Sequence, residues 1–283
     1  MDVNYMKTFV LLLTLTLLLI GIGNMFAGPR GAMIAFAFAL VLNVGSFWFS
    51  DKIVLKMYAA KEISKNEAPE LYGIIEDLII DAKLPMPRVY IMPQEVPNAF
   101  ATGRDPDHAA VCVTKGIMNL LTEDELKGVL AHELAHIKNR DTLIMTIAAT
   151  VAGAIMMIAS MARWAAIFGG FGGRGRNRGG SIFSLLAVAI LAPVAAMIVQ
   201  LAISRTREYA ADKRGAGFAH SPHGLAGALK KLDDAAGRHR MNASPQTAHL
   251  FIVNPLRGNF LATLFSTHPP IEKRVERLQS LKI

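Results

Sequence analysis

The sequence predicts a mainly α membrane protein: four transmembrane helices in two hairpins, with an α+β part outside the membrane that carries a small sheet. Three observations predict it. Four apolar segments free of charged residues run over about 8–27, 31–50, 142–162 and 181–204, each close to the roughly 20 residues a helix needs to cross a hydrocarbon core. Short links join the members of each pair, Gly28-Pro29-Arg30 in the first and a glycine-rich stretch over 169–180 in the second. The mean hydropathy is +0.35 and only 18% of residues are charged, which argues against a wholly soluble chain.

The chain therefore divides into an N-terminal hairpin (1–50), a first soluble part (51–141), a second hairpin (142–204) and a second soluble part (205–283). Lys7 ahead of the first segment and Met25-Phe26-Ala27 at its end also fit a signal peptide, but the second apolar segment follows at once and favours a hairpin. Loop charges give the orientation. Arg30, Arg163, Arg174, Arg176 and Arg178 fall on one side, whereas Lys52, Lys56, Lys138, Arg140, Arg205 and Arg207 flank the spans on the other. That bias puts both termini and the soluble parts on the cytoplasmic side. The net charge of +8 follows from this topology, and no nucleic-acid partner is expected. The GGFGGRGRNRGG stretch reads as a flexible connector. The single cysteine, Cys112, allows no internal disulfide and reads as a small buried hydrophobe.

In the soluble parts, Glu67 to Ala82 reads as an amphipathic helix, and Arg88 to Met92 and Ala109 to Thr114 read as strands. Thr122 and Glu125 stand at capping-box spacing, so a helix opens there and runs on toward the third span. A further helix starts near Thr206 and ends near Gly215, and another follows Pro270.

The capped helix carries His132-Glu133-Leu134-Ala135-His136. Histidines four apart share one helix face, one turn apart, and can hold a single Zn²⁺. Glu133 stands about 100° round the helix, where it can act as base toward a water at the metal without ligating it. A catalytic zinc takes a third protein ligand. The extended HExxHxxGxxH form fails here, because Asn139 and Thr142 occupy its glycine and last histidine positions. Glu208, beyond the fourth span, is the best candidate. Asp212, four residues on, shares its face and could orient a ligating imidazole. If the inner spans form a hairpin, both helices emerge side by side at one membrane surface. His268, pinned by Pro269 and Pro270, could stabilise a developing oxyanion, although a surface-loop histidine fits the same residues. Pro97 to Gly103 could present an edge strand to an extended peptide, or form an ordinary turn and strand.

Together HELAHIKNRD, SRTREYAAD, PNAFATG and STHPPIEKRVERL resemble the HtpX-type bacterial heat-shock membrane metalloproteases, relatives of the CAAX prenyl endopeptidases. The resemblance covers nearly the whole chain. It implies a gluzincin-like zinc peptidase domain with one Zn²⁺ held by His132, His136 and Glu208. It implies catalysis by Glu133, support from Asp212, and transition-state or substrate contacts from His268 and Arg274. It implies substrate pairing at Asn98, Ala99, Phe100 and Ala101. The implied setting is the bacterial inner membrane, with unfolded or damaged membrane proteins as substrates and the lipid bilayer as surroundings. A site-2-type intramembrane protease is disfavoured by Glu123, Asp124, Glu125, Lys127, Lys138 and Arg140 around the histidines. A prenyl-protein processing enzyme needs more than four spans, and a silent zinc scaffold does not need Glu133.

Overall fold

The computed structural model describes residues 3–169, 205–238, 250–253 and 269–282. The fourth expected span, nearly all of the glycine- and arginine-rich link, and His268 lie outside the described residues.

Helix α1 covers Val3–Met57 and breaks at Ala27 and Gly28, where Gly28 takes a φ of 60°. Pro29 follows, so one residue with access to left-handed backbone and one lacking an N–H turn the chain back on itself. The two arms, 3–26 and 29–57, lie against each other. A Cβ on Gly23 would stand 2.4 Å from the carbonyl oxygen of Gly31, and one on Gly31 would stand 2.1 Å from that of Gly23. Glycine at both positions is what lets the backbones touch. Farther along, Asn43 Nδ2 donates to Thr16 Oγ1 at 2.9 Å. Phe9, Leu17, Met33, Val41 and Trp48 face outward and exposed. By length and composition 27–49 can cross a membrane. The predicted first hairpin is therefore present as a hairpin of helices. Among the described residues it supplies the single helix meeting that test, with 8–21 and 141–153 as shorter apolar helices.

The sheet follows: β1 (Lys61–Glu62), β2 (Arg88–Met92), β3 (Ala99–Thr102) and β4 (Ala110–Thr114), in spatial order β1-β2-β4-β3. The β2–β4 pair is parallel and the outer pairs are antiparallel. Helix α2 (Pro69–Ala82) matches the predicted amphipathic helix. Both sheet faces are covered, which explains why β4 reads as an unbroken apolar run. Tyr90, Met92, Phe100, Ala110 and Cys112 pack toward α1. Val89, Ala99, Ala101, Val111 and Val113 pack toward the helices of the soluble part. The sheet thus partitions two cores. Cys112 is fully buried, and burial pushes its thiol up out of the reactive range.

After the short α3 (Lys115–Leu120), α4 (Glu123–Lys138) opens on the predicted capping box: Glu125 N–H donates to Thr122 Oγ1, and Thr122 N–H donates back to Glu125. The expected continuous run into the third span does not occur. Arg140 adopts a φ of 58°, a left-handed stop that no proline or glycine signals. A separate helix, α5 (Asp141–Gly169), starts there. Leu143, Ile144, Ile147, Ala148 and Val151 pack against Leu15, Leu19, Ala39 and Val54 of α1. The soluble part closes with α6 (Arg205–Phe218), α7 (His223–Arg238) and α8 (Ile271–Gln279) around α4.

Candidate metal centre

His132 and His136 sit one turn apart on α4, both buried, with their Nε2 atoms 3.2 Å apart. Helix α6 brings Glu208 to them. Its carboxylate oxygens lie 3.9 Å from His132 Nε2 and 3.5 Å from His136 Nε2. The close approach depends on Gly215: a Cβ there would stand 2.8 Å from the backbone nitrogen of His132. The three ligand atoms lie within 4.8 Å of one another and could hold a metal ion. Donors about 2.0–2.1 Å from one tetrahedral ion stand about 3.4 Å apart along the edges, close to these separations.

The far side of each imidazole faces a carboxylate. Asp212 Oδ1 lies 3.0 Å from His132 Nδ1, and Asp141 Oδ2 lies 3.2 Å from His136 Nδ1. Each ring can donate its Nδ1–H outward and leave the Nε2 lone pair for a cation. Each carboxylate has its own guanidinium. Arg274 grips Asp212 through Nε at 3.0 Å and Nη2 at 2.7 Å, while Arg207 Nε stands 3.6 Å from Asp141. Burial opposes the charge on Asp212, but Arg274 and His132 outweigh it and hold its carboxyl below the ordinary range.

Charge accounting tests the fit to a metal. Glu133, Asp141, Glu208 and Asp212 are all buried here, and Arg207 and Arg274 are the guanidiniums facing them. Among the described residues, four carboxylates stand against two guanidiniums, an excess that a divalent cation would balance. Buried charge persists only when compensated, and the donor set of two imidazoles and a carboxylate suits zinc. Glu133 is buried beside His132, His136 and Glu208. Burial raises its pKa, the two imidazoles oppose the rise, and an N–H of Ala101 donates to its carboxylate.

A chain with this centre has clear relatives. The model of Peptidase family M48 matches residues 65–282. The chain belongs to Peptidase family M48. It is a metalloprotease, as that family's members are. A protease HtpX homolog from Syntrophobacter fumaroxidans is 58% identical over 97% of this chain and 98% of its own length. Homologs of the same name from Thermococcus kodakarensis and Pyrococcus furiosus are 55% and 54% identical, over 99% and 98% of this chain and 96% of each relative. The crystal structure of S. mikatae Ste24p shares the fold at a TM-score of 0.51 and 18% identity, covering 98% of this chain and 67% of the other.

The structure brings His132, Glu133, His136, Glu208 and Asp212 close together. It adds Asp141 and Arg207, which the sequence reading used only as markers of span ends. Their signal was a carboxylate one residue past a helix stop and an arginine one residue before a ligand. Arg274 is fully buried against Asp212 and Glu208, on the ligand-supporting side. Asn98 and Ala99 are buried and hydrogen-bonded to residues 252 and 253. Phe100 points into the core beside Tyr58 and Phe251, and Ala101 adjoins Glu133.

Proposed function

We propose that the chain is a membrane-bound, zinc-dependent endopeptidase that cleaves unfolded or damaged membrane proteins in quality control. One observation carries the reading: three buried ligand atoms converge on one point, and each imidazole is backed by its own carboxylate. In this reading His132, His136 and Glu208 hold the zinc, and Asp212 and Asp141 fix the two rings. When bound, zinc supplies a Lewis acid that polarises the peptide carbonyl and acidifies water. Glu133 accepts the proton of the attacking water and returns it to the leaving amine. The Ala101 N–H donates to the carboxylate of Glu133 and favours its charged form. His268 is assigned to the developing oxyanion. Arg274 acts through Asp212 and Glu208 instead of touching substrate.

The domain plan belongs to the same proposal. It has two hairpins of transmembrane helices, 1–50 and 142–204, and a gluzincin-like peptidase domain built from 51–141 and 205–283. Termini and peptidase domain face the cytoplasm across the bacterial inner membrane. The start of α5 three residues beyond α4 supports a site close to the bilayer surface, within reach of chain emerging from the membrane.

The test is cleavage of casein by the detergent-purified protein with and without added zinc, beside Glu133→Gln. Zinc-dependent cleavage by the wild type, lost in a variant that still carries zinc, is expected. Equal cleavage by both proteins would overturn the assignment of Glu133.

A further inference from the structure

Helix α5 reaches the centre from two sides. Its first residue, Asp141, backs His136. Farther along, Thr146 meets the end of β3, where its Oγ1 lies 3.0 Å from Thr102 Oγ1. Both threonines are 0% exposed.

The direction of this bond follows from a second one that Thr146 makes. Thr146 O–H donates to Thr142 C=O at 2.6 Å, the usual return bond of a helical threonine. A hydroxyl has one proton and two lone pairs. Thr146 Oγ1 therefore accepts, and Thr102 is the donor. The helix holds the acceptor in place and the strand reaches for it.

A hydroxyl is costly at this position. Leu143, Ile144, Ile147, Ala148 and Val151, the neighbours of Thr146 along α5, pack into an apolar core with α1. Valine has nearly the shape of threonine and would bury there with no polar group to satisfy. What threonine adds is an acceptor for Thr102.

That bond sits beside the base of the proposed reaction. Thr102 ends β3. Gly103 follows at a φ of 126°, and a Cβ there would stand 2.4 Å from the carbonyl oxygen of His108, so the chain turns back toward β4 at once. The preceding residue, Ala101, donates its N–H to Glu133. A hydrogen bond weakens steeply as its angle falls below about 120°, so a slip or tilt of this strand end changes the bond to Glu133.

We propose that Thr146 is a positioning residue for peptide hydrolysis: through Thr102 it fixes the end of β3 against α4 and keeps the Ala101 N–H on the Glu133 carboxylate. Thr146 acts through Thr102 and Ala101 and not on the reacting atoms. One helix then sets both halves of the chemistry, the metal side through Asp141 and the base side through Thr146. The inference rests on the peptidase reading above.

The experiment uses the intact, zinc-loaded protein in detergent with fluorescently labelled casein, and reads kcat, KM and zinc content together. Thr146→Val leaves the buried Thr102 hydroxyl unpaired. Thr102→Val leaves Thr146 bonded to Thr142, so it is the milder change for folding and tests the same bond. Both variants should keep their zinc and lower kcat roughly ten- to hundredfold, the range for a hydrogen bond to a charged group, with KM nearly unchanged. Thr146→Ser keeps the acceptor and should recover most of the lost kcat. The double valine variant should fall no further than the worse single variant, because both changes remove one bond. Wild-type kcat in both valine variants overturns the proposal. An equal loss in Thr146→Ser and Thr146→Val also overturns it, because the hydroxyl would then not be what the reaction needs. Zinc lost along with turnover overturns it too, since Thr146 would then act on the metal side. A wild type that cleaves no casein overturns the peptidase reading and this inference with it, whereas an active wild type beside indifferent variants counts against Thr146 alone.

Discussion

Replacing Arg274 with methionine removes a buried charge while keeping most of the side-chain volume. The structure fixes what is lost. Arg274 is 0% exposed and donates two bonds to Asp212 and one to Ile252 C=O. It also stands 3.6 Å from Glu208. Breaking one partner of a buried pair costs about 3–5 kcal/mol, because the other charge stays behind uncompensated. Domains have about 5–15 kcal/mol of stability in total, so the variant should be marginal. Metal binding should weaken too. Asp212 loses its anchor, and loss of support to a ligating histidine costs about 10–100-fold in metal affinity. The assays are thermal unfolding in detergent and zinc content against a competing chelator. Arg274→Lys keeps the charge but cannot form the two-pronged grip, so it should fall between wild type and Arg274→Met on both measures. If Arg274→Met keeps wild-type stability and zinc affinity and changes only KM, the argument fails. Arg274 would then be the substrate contact that the family resemblance implied.

Asp141→Asn should raise the zinc dissociation constant about 10–100-fold, read with a chromogenic chelator; an unchanged constant would remove Asp141 from the support of His136. Gly215→Ala places a methyl group 2.8 Å from the His132 backbone nitrogen, so it should push α6 off α4 and lose both metal and thermal stability. A stable, zinc-loaded Gly215→Ala protein would show that α6 does not set the position of Glu208. In the metal-free protein, burial opposes a charged His136, yet Asp141 and Glu208 outweigh it and push the ring up to about 10. That ring then carries a proton at pH 7 which zinc must displace, so zinc affinity should climb as pH rises toward that value. Calorimetry in buffers of different ionisation heat should register the released proton, and heats independent of buffer would count against it.

What the sequence made legible was local. The first hairpin follows from two charge-free runs around Gly28-Pro29. The site helix follows from Thr122, Glu125 and the histidine spacing, and β2 and β4 from short β-branched runs. The helix His223–Arg238 is carried by Leu225, Leu229 and Leu232, which recur on one face, but glycines and charges between them dilute the pattern. The two-residue β1 has no pattern to read. The stop at Arg140 is hidden because an ordinary residue takes left-handed backbone there, and that stop turns Asp141 back onto His136. The direction of Arg274 could not be read either, since 62 residues separate it from Asp212.

The nonlocal part of the site obeys one constraint that spacing cannot express. Each ligating histidine needs a carboxylate behind it, and each such carboxylate, once buried, needs a cation of its own. Arg274 and Arg207 meet that demand for Asp212 and Asp141, and Arg274 also stands 3.6 Å from Glu208, but among the described residues two guanidiniums do not balance four carboxylates. A divalent metal does, in the one place where Glu208 and both Nε2 atoms converge. The same metal explains why so many charges are buried in a small volume. Without it, Asp141 and Glu208 favour a proton on His136 and burial favours one on Glu133. Catalytic centre and folding problem are thus one electrostatic arrangement. Substitutions at Asp141, Asp212 or Arg274 should accordingly move metal affinity and stability together, whereas Glu133→Gln, which removes one of the uncompensated charges, should remove activity and leave stability intact or improved.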